Sequence, residues 1–112
     1  MSILARKSSK STFQDGVTIH YVDDDLPHDQ DALISAIGFG AVSLEKNLID
    51  AVIEAKVKRF LPSEYGVNNS DPVARALSPV FDAKGAIIEL LREKESTGLT
   101  WTAVPTGLWL EW

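Results

Sequence analysis

The sequence contains no cysteine, which excludes disulfide bridges, thiolate metal sites and cysteine nucleophiles. It also lacks any run close to the roughly 18–20 apolar residues needed to span a bilayer. Residues 1–10 lack the continuous apolar segment of a signal peptide. We therefore expect a soluble cytoplasmic protein without a membrane partner.

Positive charge is scarce, since 11 Lys and Arg stand against 16 Asp and Glu and the net charge is −5. The nearest approach to a basic cluster is Arg6, Lys7 and Lys10, which argues against a nucleic-acid partner. The acidic run at residues 23–25 lacks the ligand spacing of a calcium loop. We expect no metal site.

What the sequence does contain is apolar patterning suited to one domain over residues 1–112. Strands are predicted at residues 2–5, 17–22, 32–37, 57–61 and 99–104. Helical stripes are predicted at Leu44, Leu48, Ala51, Val52 and Ala55, and at Phe81, Ala83, Ile87, Ile88 and Leu91. The second helix begins at Ser78 and Pro79 and ends by Gly98, whereas residues 68–72 are predicted to form a loop.

Alternation of buried strands with helices predicts an α/β fold with a parallel sheet. In such sheets ligands bind at the carboxyl ends of the strands. The residues just after the predicted strands are therefore the site candidates, namely Arg6 and Lys7, residues 38–40, residues 62–65 and residues 105–107.

One local pattern suggests a dinucleotide loop. Gly38-x-Gly40-x-x-Ser43 lies between a predicted strand and a predicted helix and is close to G-x-G-x-x-G. Glu64 follows after the next strand, where an acid that binds a ribose would lie. The signal is weak because the third glycine is Ser43, and short glycine turns are common without a phosphate.

Several segments, taken in order, cover nearly the whole chain. Residues 56–66 read KVKRFLPSEYG, and the other segments are LARK at 4–7, NLIDA at 47–51, FDAK at 81–84 and LTWTAVPTGLWLEW at 99–112. Together they resemble isoflavone reductases, phenylcoumaran benzylic ether reductases and fungal NmrA-like proteins. The first segment is very similar to the GVKRFIPSEFG of that family.

The resemblance implies a Rossmann-type fold that binds NADPH. It implies a catalytic role for Lys84, and it places Arg6 and Lys7 at the 2′-phosphate of the cofactor. In the family a G-x-x-G-x-x-G loop precedes the strand that ends here at Arg6. The resemblance thus implies a fragment, truncated at both ends, without the first strand and the glycine-loop helix.

On this reading Gly38 and Phe39 follow the fourth strand of the family and pass near the cofactor, as do Pro62, Ser63 and Glu64 after the fifth. We adopt it over the local pattern.

The connection between residues 22 and 32 is short for a parallel crossover, which needs about a dozen residues. Either the helix of the family has been lost there, or residues 31–37 form the helix and residues 39–43 a shortened strand. We prefer the first alternative.

The residues around Lys84 also indicate a special role for it, independently of the resemblance. Phe81, Lys84 and Ile88 share one helix face, and an amine beside apolar groups loses solvation and releases its proton more readily. The alternative is a lysine that extends to solvent from the helix edge. Ser63 is predicted to hydrogen-bond the cofactor or the lysine, and Glu64 to cap a helix or pair with a base, unless the turn is purely structural.

The function implied by the resemblance is an NADPH-dependent reductase of a small aromatic or phenolic compound. The alternatives are an NAD(P)-sensing regulator and a non-catalytic fragment. The missing glycine loop leaves open whether the chain itself is an active enzyme. The substrate and the oligomeric state are not predicted.

Overall fold

The computed structural model describes residues 2–6, 10–12, 14–22 and 30–108. In chain order the elements are β1 (Ser2–Arg6), β2 (Thr18–Val22), β3 (Ala32–Ile34), α1 (Val42–Glu54), β4 (Arg59–Leu61), α2 (Pro72–Arg75), α3 (Pro79–Lys94) and β5 (Thr100–Trp101). Short 3₁₀ turns lie at Phe39–Ala41 and Glu95–Thr97. The predicted strand and helix order is confirmed, and α2 is an addition.

All described strand pairs are parallel, which confirms the predicted α/β class. The described strands are hydrogen-bonded in two groups, β1 with β2, and β3-β4-β5 in that order. A doubly wound sheet runs in the order 3-2-1-4-5-6. The two groups correspond to strands 2 and 3 and to strands 4, 5 and 6. The boundary therefore falls where strand 1 would lie, and the resemblance assigns no segment of these 112 residues to that strand.

Three strands are clearly shorter than predicted, since β3 covers residues 32–34, β4 residues 59–61 and β5 residues 100–101. β3 ends at Ile34, and residues 39–41 form a 3₁₀ turn, so the alternative of a helix at 31–37 and a strand at 39–43 is wrong. β5 ends at Trp101 although Thr102 still donates its N–H to the Phe60 carbonyl. Among the described strands its neighbour is β4, which stops before Pro62, and proline has no N–H for further pairing.

The core lies where α1 and α3 pack beside the three-stranded sheet. Its buried members are Val42, Ile49, Val52, Val57, Phe60, Ile87, Ile88, Leu91 and Leu99. The predicted stripes are wrong in part, because Leu44 is 50% exposed and Ala83 is also exposed. Their places on the buried faces are taken by Glu45 and Lys84. Both charged side chains belong to the site described below.

Two helices begin as capped turns. Ser78 accepts a hydrogen bond from Val80 N at the start of α3, as predicted, and Asp71 does the same for Val73 N at α2. None of the helices in the described part of the chain has the length and apolar composition needed to cross a membrane.

A cation from α2 joins that helix to α3. The Arg75 guanidinium pairs with Asp82 at 2.8 Å and with Glu89. Between these acids its side chain crosses Gly85, where a Cβ would lie 2.5 Å from Arg75 Cδ and Nε. Gly85 therefore provides the space in which Arg75 lies.

Candidate functional site

The segments that follow β3, β4 and β5 meet at the carboxyl edge of the three-stranded sheet. The Ser63 hydroxyl donates to the Ile37 carbonyl at 2.9 Å and so joins the first two segments. Gly107 N donates to the Gly66 carbonyl at 3.0 Å and joins the last two. This edge is where the sequence predicted the site, because parallel strands all end there.

A tight turn centred on Ser63 follows β4. Glu64 N donates to the Pro62 carbonyl at 2.7 Å, which closes a three-residue γ-turn. Glu45 on α1 accepts a 2.7 Å hydrogen bond from Ser63 N through Oε1. Ser63 and Glu45 are both buried, and Glu45 is 0% exposed. The turn is thus tied to a helix by a buried, charge-assisted hydrogen bond.

Lys84 enters this turn from α3. Its ammonium donates to the Ser63 carbonyl and lies 3.6 Å from Glu64 Oε1. Lys84 is only 7% exposed, so it does not extend to solvent from the helix edge. Of the two roles predicted for Glu64, the structure shows pairing with a base rather than capping of a helix. Lys84 and Ser63 are in contact through the Ser63 main chain.

Glu64 is held on its other side by Asn69, whose Nδ2 donates to Oε2 at 2.7 Å. Burial raises the pKa of Glu64 above its ordinary value. The Asn69 hydrogen bond and the Lys84 charge oppose that rise without cancelling it. Burial and the charge of Glu45 also raise the pKa of Tyr65, which therefore stays a neutral phenol near pH 7.

The site holds more acceptors than donors. Glu45 Oε2, Glu64 Oε1 and Asn69 Oδ1 are buried and accept no hydrogen bond within the described residues. With two carboxyl groups for one ammonium, the site carries surplus negative charge when both acids are ionised. Such charge is unfavourable in a buried place, and one added proton removes it.

An aromatic ring covers the ammonium. Lys84 Nζ lies 5.8 Å from the centroid of the Phe39 ring, within the range of a cation–π contact. Phe39 is 61% exposed and lies on the 3₁₀ turn before α1. Its ring is the apolar surface that this edge of the sheet shows to solvent beside Lys84.

The other predicted site residues are distributed as follows. Gly38 is exposed and lies in the same segment as Phe39, whereas Pro62 is buried behind the turn. Arg6 ends β1, where only its backbone is described, and Lys7 lies outside the described residues. Glu64, which the local pattern assigns to a ribose, is 2% exposed and bonded on both sides, to Asn69 and to Lys84.

Sequence reasoning missed Glu45 and Asn69. Glu45 lies four residues before Ile49 and seven before Val52, on the buried face of α1. A carboxylate at that spacing was a usable signal. In the described ranges no group of three or more His, Cys, Asp or Glu side chains is placed to hold a metal ion.

Comparison with known proteins identifies the family of the chain. The sequence model of the NmrA-like family matches residues 10–111. The chain belongs to the NmrA-like family. This agrees with the resemblance that the motifs showed.

Relatives of this NmrA-like chain include oxidoreductases. It is 42% identical over 120 residues to oxidoreductase aprR of Aspergillus flavus, an alignment that covers 99% of this chain and 40% of that protein. It is 36% identical over 78 residues to isoflavone reductase homolog P3 of Arabidopsis thaliana, covering 69% of this chain and 24% of that protein. The chain thus spans about two-fifths or less of the length of these relatives.

A solved structure shares the fold of the NmrA-like chain. It is the binary complex of leucoanthocyanidin reductase with NADPH from Vitis vinifera, with a TM-score of 0.68 and 24% identity. The match covers 93% of this chain and 40% of that one. It supports the Rossmann-type parallel sheet deduced from the strand pairing.

Proposed function

We propose that this chain forms the nicotinamide-facing part of an NADPH-dependent reductase that acts on a small aromatic or phenolic compound. The observation that carries the proposal is Lys84, a buried ammonium at the carboxyl edge of a parallel sheet. Neighbouring groups fix its position, and the exposed Phe39 ring lies 5.8 Å from it. The oxidoreductase relatives support the reaction class.

The residues at this edge fit the nicotinamide end of a dinucleotide. A Cβ at Gly38 or Gly40 would meet no atom of the described residues within 4 Å, and neither glycine has a positive φ. The protein itself therefore does not require glycine there, and the backbone is open to a bound group. We propose that Gly38, Phe39 and Ser63 line the nicotinamide, with Pro62 and Glu64 supporting the turn from behind.

The adenine end would be held by basic residues after β1. A guanidinium offers paired donors to a phosphate, so Arg6, with Lys7 beside it, suits the 2′-phosphate of NADPH. Such contacts would favour NADPH over NADH. This assignment rests on the resemblance and on the position of Arg6 at the carboxyl end of β1.

NADPH, when bound, supplies a hydride. The chain then has to supply or remove a proton at the substrate, and Lys84 Nζ is the group at the site able to do so. The Ser63 carbonyl orients the ammonium, and the Phe39 ring lies at cation–π distance from it. Glu64 lies close enough to exchange a proton with Lys84, because its raised pKa brings its protonated form toward neutral pH.

A non-catalytic role is the second candidate, and one observation favours it. Lys84 already has the Ser63 carbonyl and Glu64 as partners, so the ammonium is satisfied without a substrate. An NAD(P)-sensing regulator or a fragment without turnover needs no more than that. Turnover separates the two candidates.

The test has two measurements on the 112-residue chain. Millimolar NADPH should shift the backbone NMR signals of Phe39, Ser63 and Lys84. NADPH oxidation with a panel of small phenolic and aromatic carbonyl compounds should fall at least about a hundredfold in Lys84→Met. Lys46→Met, an exposed lysine on α1, is the control and should keep its rate. Unshifted signals at all three positions would overturn cofactor binding, and equal rates in the two variants would overturn the role of Lys84.

A further inference from the structure

Glu45 has the features of a supporting residue for the lysine. It lies on α1, 39 residues before Lys84 in the sequence, whereas Lys84 lies on α3. Yet Glu45 is 0% exposed, although a buried carboxylate is unfavourable unless it is bonded. A carboxylate among the apolar side chains of the α1 face is expected to lower the free energy of unfolding unless its contacts compensate.

Those contacts lead to Lys84 through one residue. Glu45 Oε1 accepts from Ser63 N at 2.7 Å, and the Ser63 carbonyl accepts from the Lys84 ammonium. The two bonds lie on either side of the Ser63 Cα, inside the γ-turn closed by Glu64 N and the Pro62 carbonyl. Loss of the first bond removes the contact that fixes the peptide group on the N-terminal side of Ser63, so we expect the Ser63 carbonyl to turn away from the ammonium.

We propose that Glu45 is the positioning residue of Lys84, acting through the Ser63 turn. Its carboxylate fixes the Ser63 N–H, and the fixed Ser63 carbonyl then holds the ammonium between Glu64 and the Phe39 ring. The Ser63 hydroxyl, bonded to the Ile37 carbonyl, ties the same turn to the segment after β3. The catalytic meaning of this positioning rests on the proposed function, whereas the geometric statement does not.

The charged and titratable groups near Lys84 come from two of the three neighbouring segments. They are Glu45 from α1, and Glu64 and Tyr65 from the segment after β4. The segment after β3 contributes Phe39, which has no titratable group. A substitution at Glu45 therefore changes both a hydrogen bond and a charge, and the test has to separate them.

Two variants of Glu45 make that separation. Glu45→Gln keeps an oxygen acceptor for Ser63 N and removes the charge, whereas Glu45→Leu removes both. Glu54→Gln and Glu54→Leu, at an exposed position on the same helix, are the matched controls. The readout is the rate at which an amine-acylating reagent modifies Lys84 relative to exposed Lys46 in the same molecule, measured by peptide mass spectrometry at one pH.

We expect Glu45→Leu to raise the Lys84 to Lys46 rate ratio at least tenfold, because the ammonium loses its fixed acceptor and becomes accessible. Glu45→Gln should give less than one-third of that rise, and both Glu54 variants should leave the ratio unchanged. A change under twofold in Glu45→Leu overturns the proposal. So does a rise in Glu45→Gln that equals the rise in Glu45→Leu, because charge alone would then be the cause.

A measurement on the unsubstituted chain covers the case in which Glu45→Leu does not fold. The Ser63 amide should exchange its hydrogen at least a hundredfold more slowly than in an unfolded peptide of the same sequence. Exchange at the peptide rate overturns the proposal. Neither experiment uses NADPH or substrate, so a chain without turnover can still show the positioning, and the two proposals fail separately.

Discussion

Lys84 Nζ and Glu64 Oε1 lie 3.6 Å apart, and the two side chains are only 9% and 3% exposed. The pair is closer to an interior ion pair than to a surface one. Removing one partner leaves a buried charge without compensation. This lowers the free energy of unfolding by more than the intact pair raises it. The first two predictions follow from this asymmetry.

Lys84→Met should destabilise the fold by about 3–5 kcal/mol at pH 7, because Glu64 loses its nearby cation while still buried. Adding Glu64→Gln should recover most of that loss, since the site then carries only the Glu45 carboxylate, the same single surplus negative charge as in the unsubstituted chain. The measurement is the free energy of unfolding by urea for both single variants and the double variant. Additive losses in the double variant would show that the two side chains are not coupled.

The stability of the chain should depend on pH through Glu64. Because burial raises the folded-state pKa of Glu64, the folded state binds the proton more tightly than the unfolded state does. The stabilisation that comes from this tighter proton binding at Glu64 is complete below the ordinary pKa of 4.5. It is lost as pH rises through the folded-state pKa.

In urea titrations over that pH window, Glu64→Gln should show a smaller fall in the free energy of unfolding than the unsubstituted chain. Glu54→Gln, at an exposed position, serves as the reference and should keep the original slope. Parallel curves for Glu64→Gln and the unsubstituted chain would mean that Glu64 titrates normally.

The 112-residue chain should bind NADPH weakly. The sequence contains no G-x-x-G-x-x-G segment, and such a loop supplies the backbone N–H groups and helix N-terminus that hold a pyrophosphate. Losing those charge-assisted bonds costs about 3–5 kcal/mol, or roughly two to four orders of magnitude in affinity. A titration that follows nicotinamide fluorescence measures it, and micromolar binding would refute the expectation.

Gly85→Ala should loosen α2 without much change in global stability. The new Cβ would lie 2.5 Å from Arg75 Cδ, so the guanidinium has to leave Asp82 and Glu89. Two pairs whose acids are exposed and whose shared guanidinium is 24% exposed contribute about 0–1 kcal/mol each. Alanine in a helix interior returns about 1 kcal/mol. The two effects nearly cancel, so the net change in unfolding free energy should stay within about 1 kcal/mol.

The local effect of Gly85→Ala remains visible by hydrogen exchange. Amides of residues 72–77 should exchange faster while those of α3 do not change. Arg75→Ala should give the same acceleration without adding a Cβ, and combining the two substitutions should add nothing further. Protection of α2 that survives in Arg75→Ala would show that another contact holds it.

The sequence was sufficient for elements with strong local signals. α3 begins at Ser78 and Pro79 as predicted, because a capping hydroxyl and a proline at the first helical position are determined by neighbouring residues alone. α2 uses a similar start at Asp71 and Pro72, but four residues are too few to show a periodic pattern. Strand ends were less predictable, since the length of β5 depends on where β4 stops.

The position of the candidate site could be predicted from the sequence, but the hydrogen bonds within it could not. The order of strands and helices indicated the carboxyl edge, and the motifs indicated Lys84 and Glu64. Glu45 was missed because a charged residue on a helix normally faces solvent, and only the packing of α1 against the Ser63 turn reverses that expectation. Asn69 was missed because its partner Glu64 lies across a loop with no regular spacing.

The turn at Ser63 has a consequence for how this site would tolerate change. Glu45 and Lys84 both bind main-chain atoms of Ser63, while its hydroxyl donates to the Ile37 carbonyl. Relatives could therefore replace the serine and keep the lysine in the same place, provided that the backbone path is preserved. An alignment scored on side-chain identity would count such a replacement as a lost site residue, although the atoms that hold the lysine are common to all amino acids.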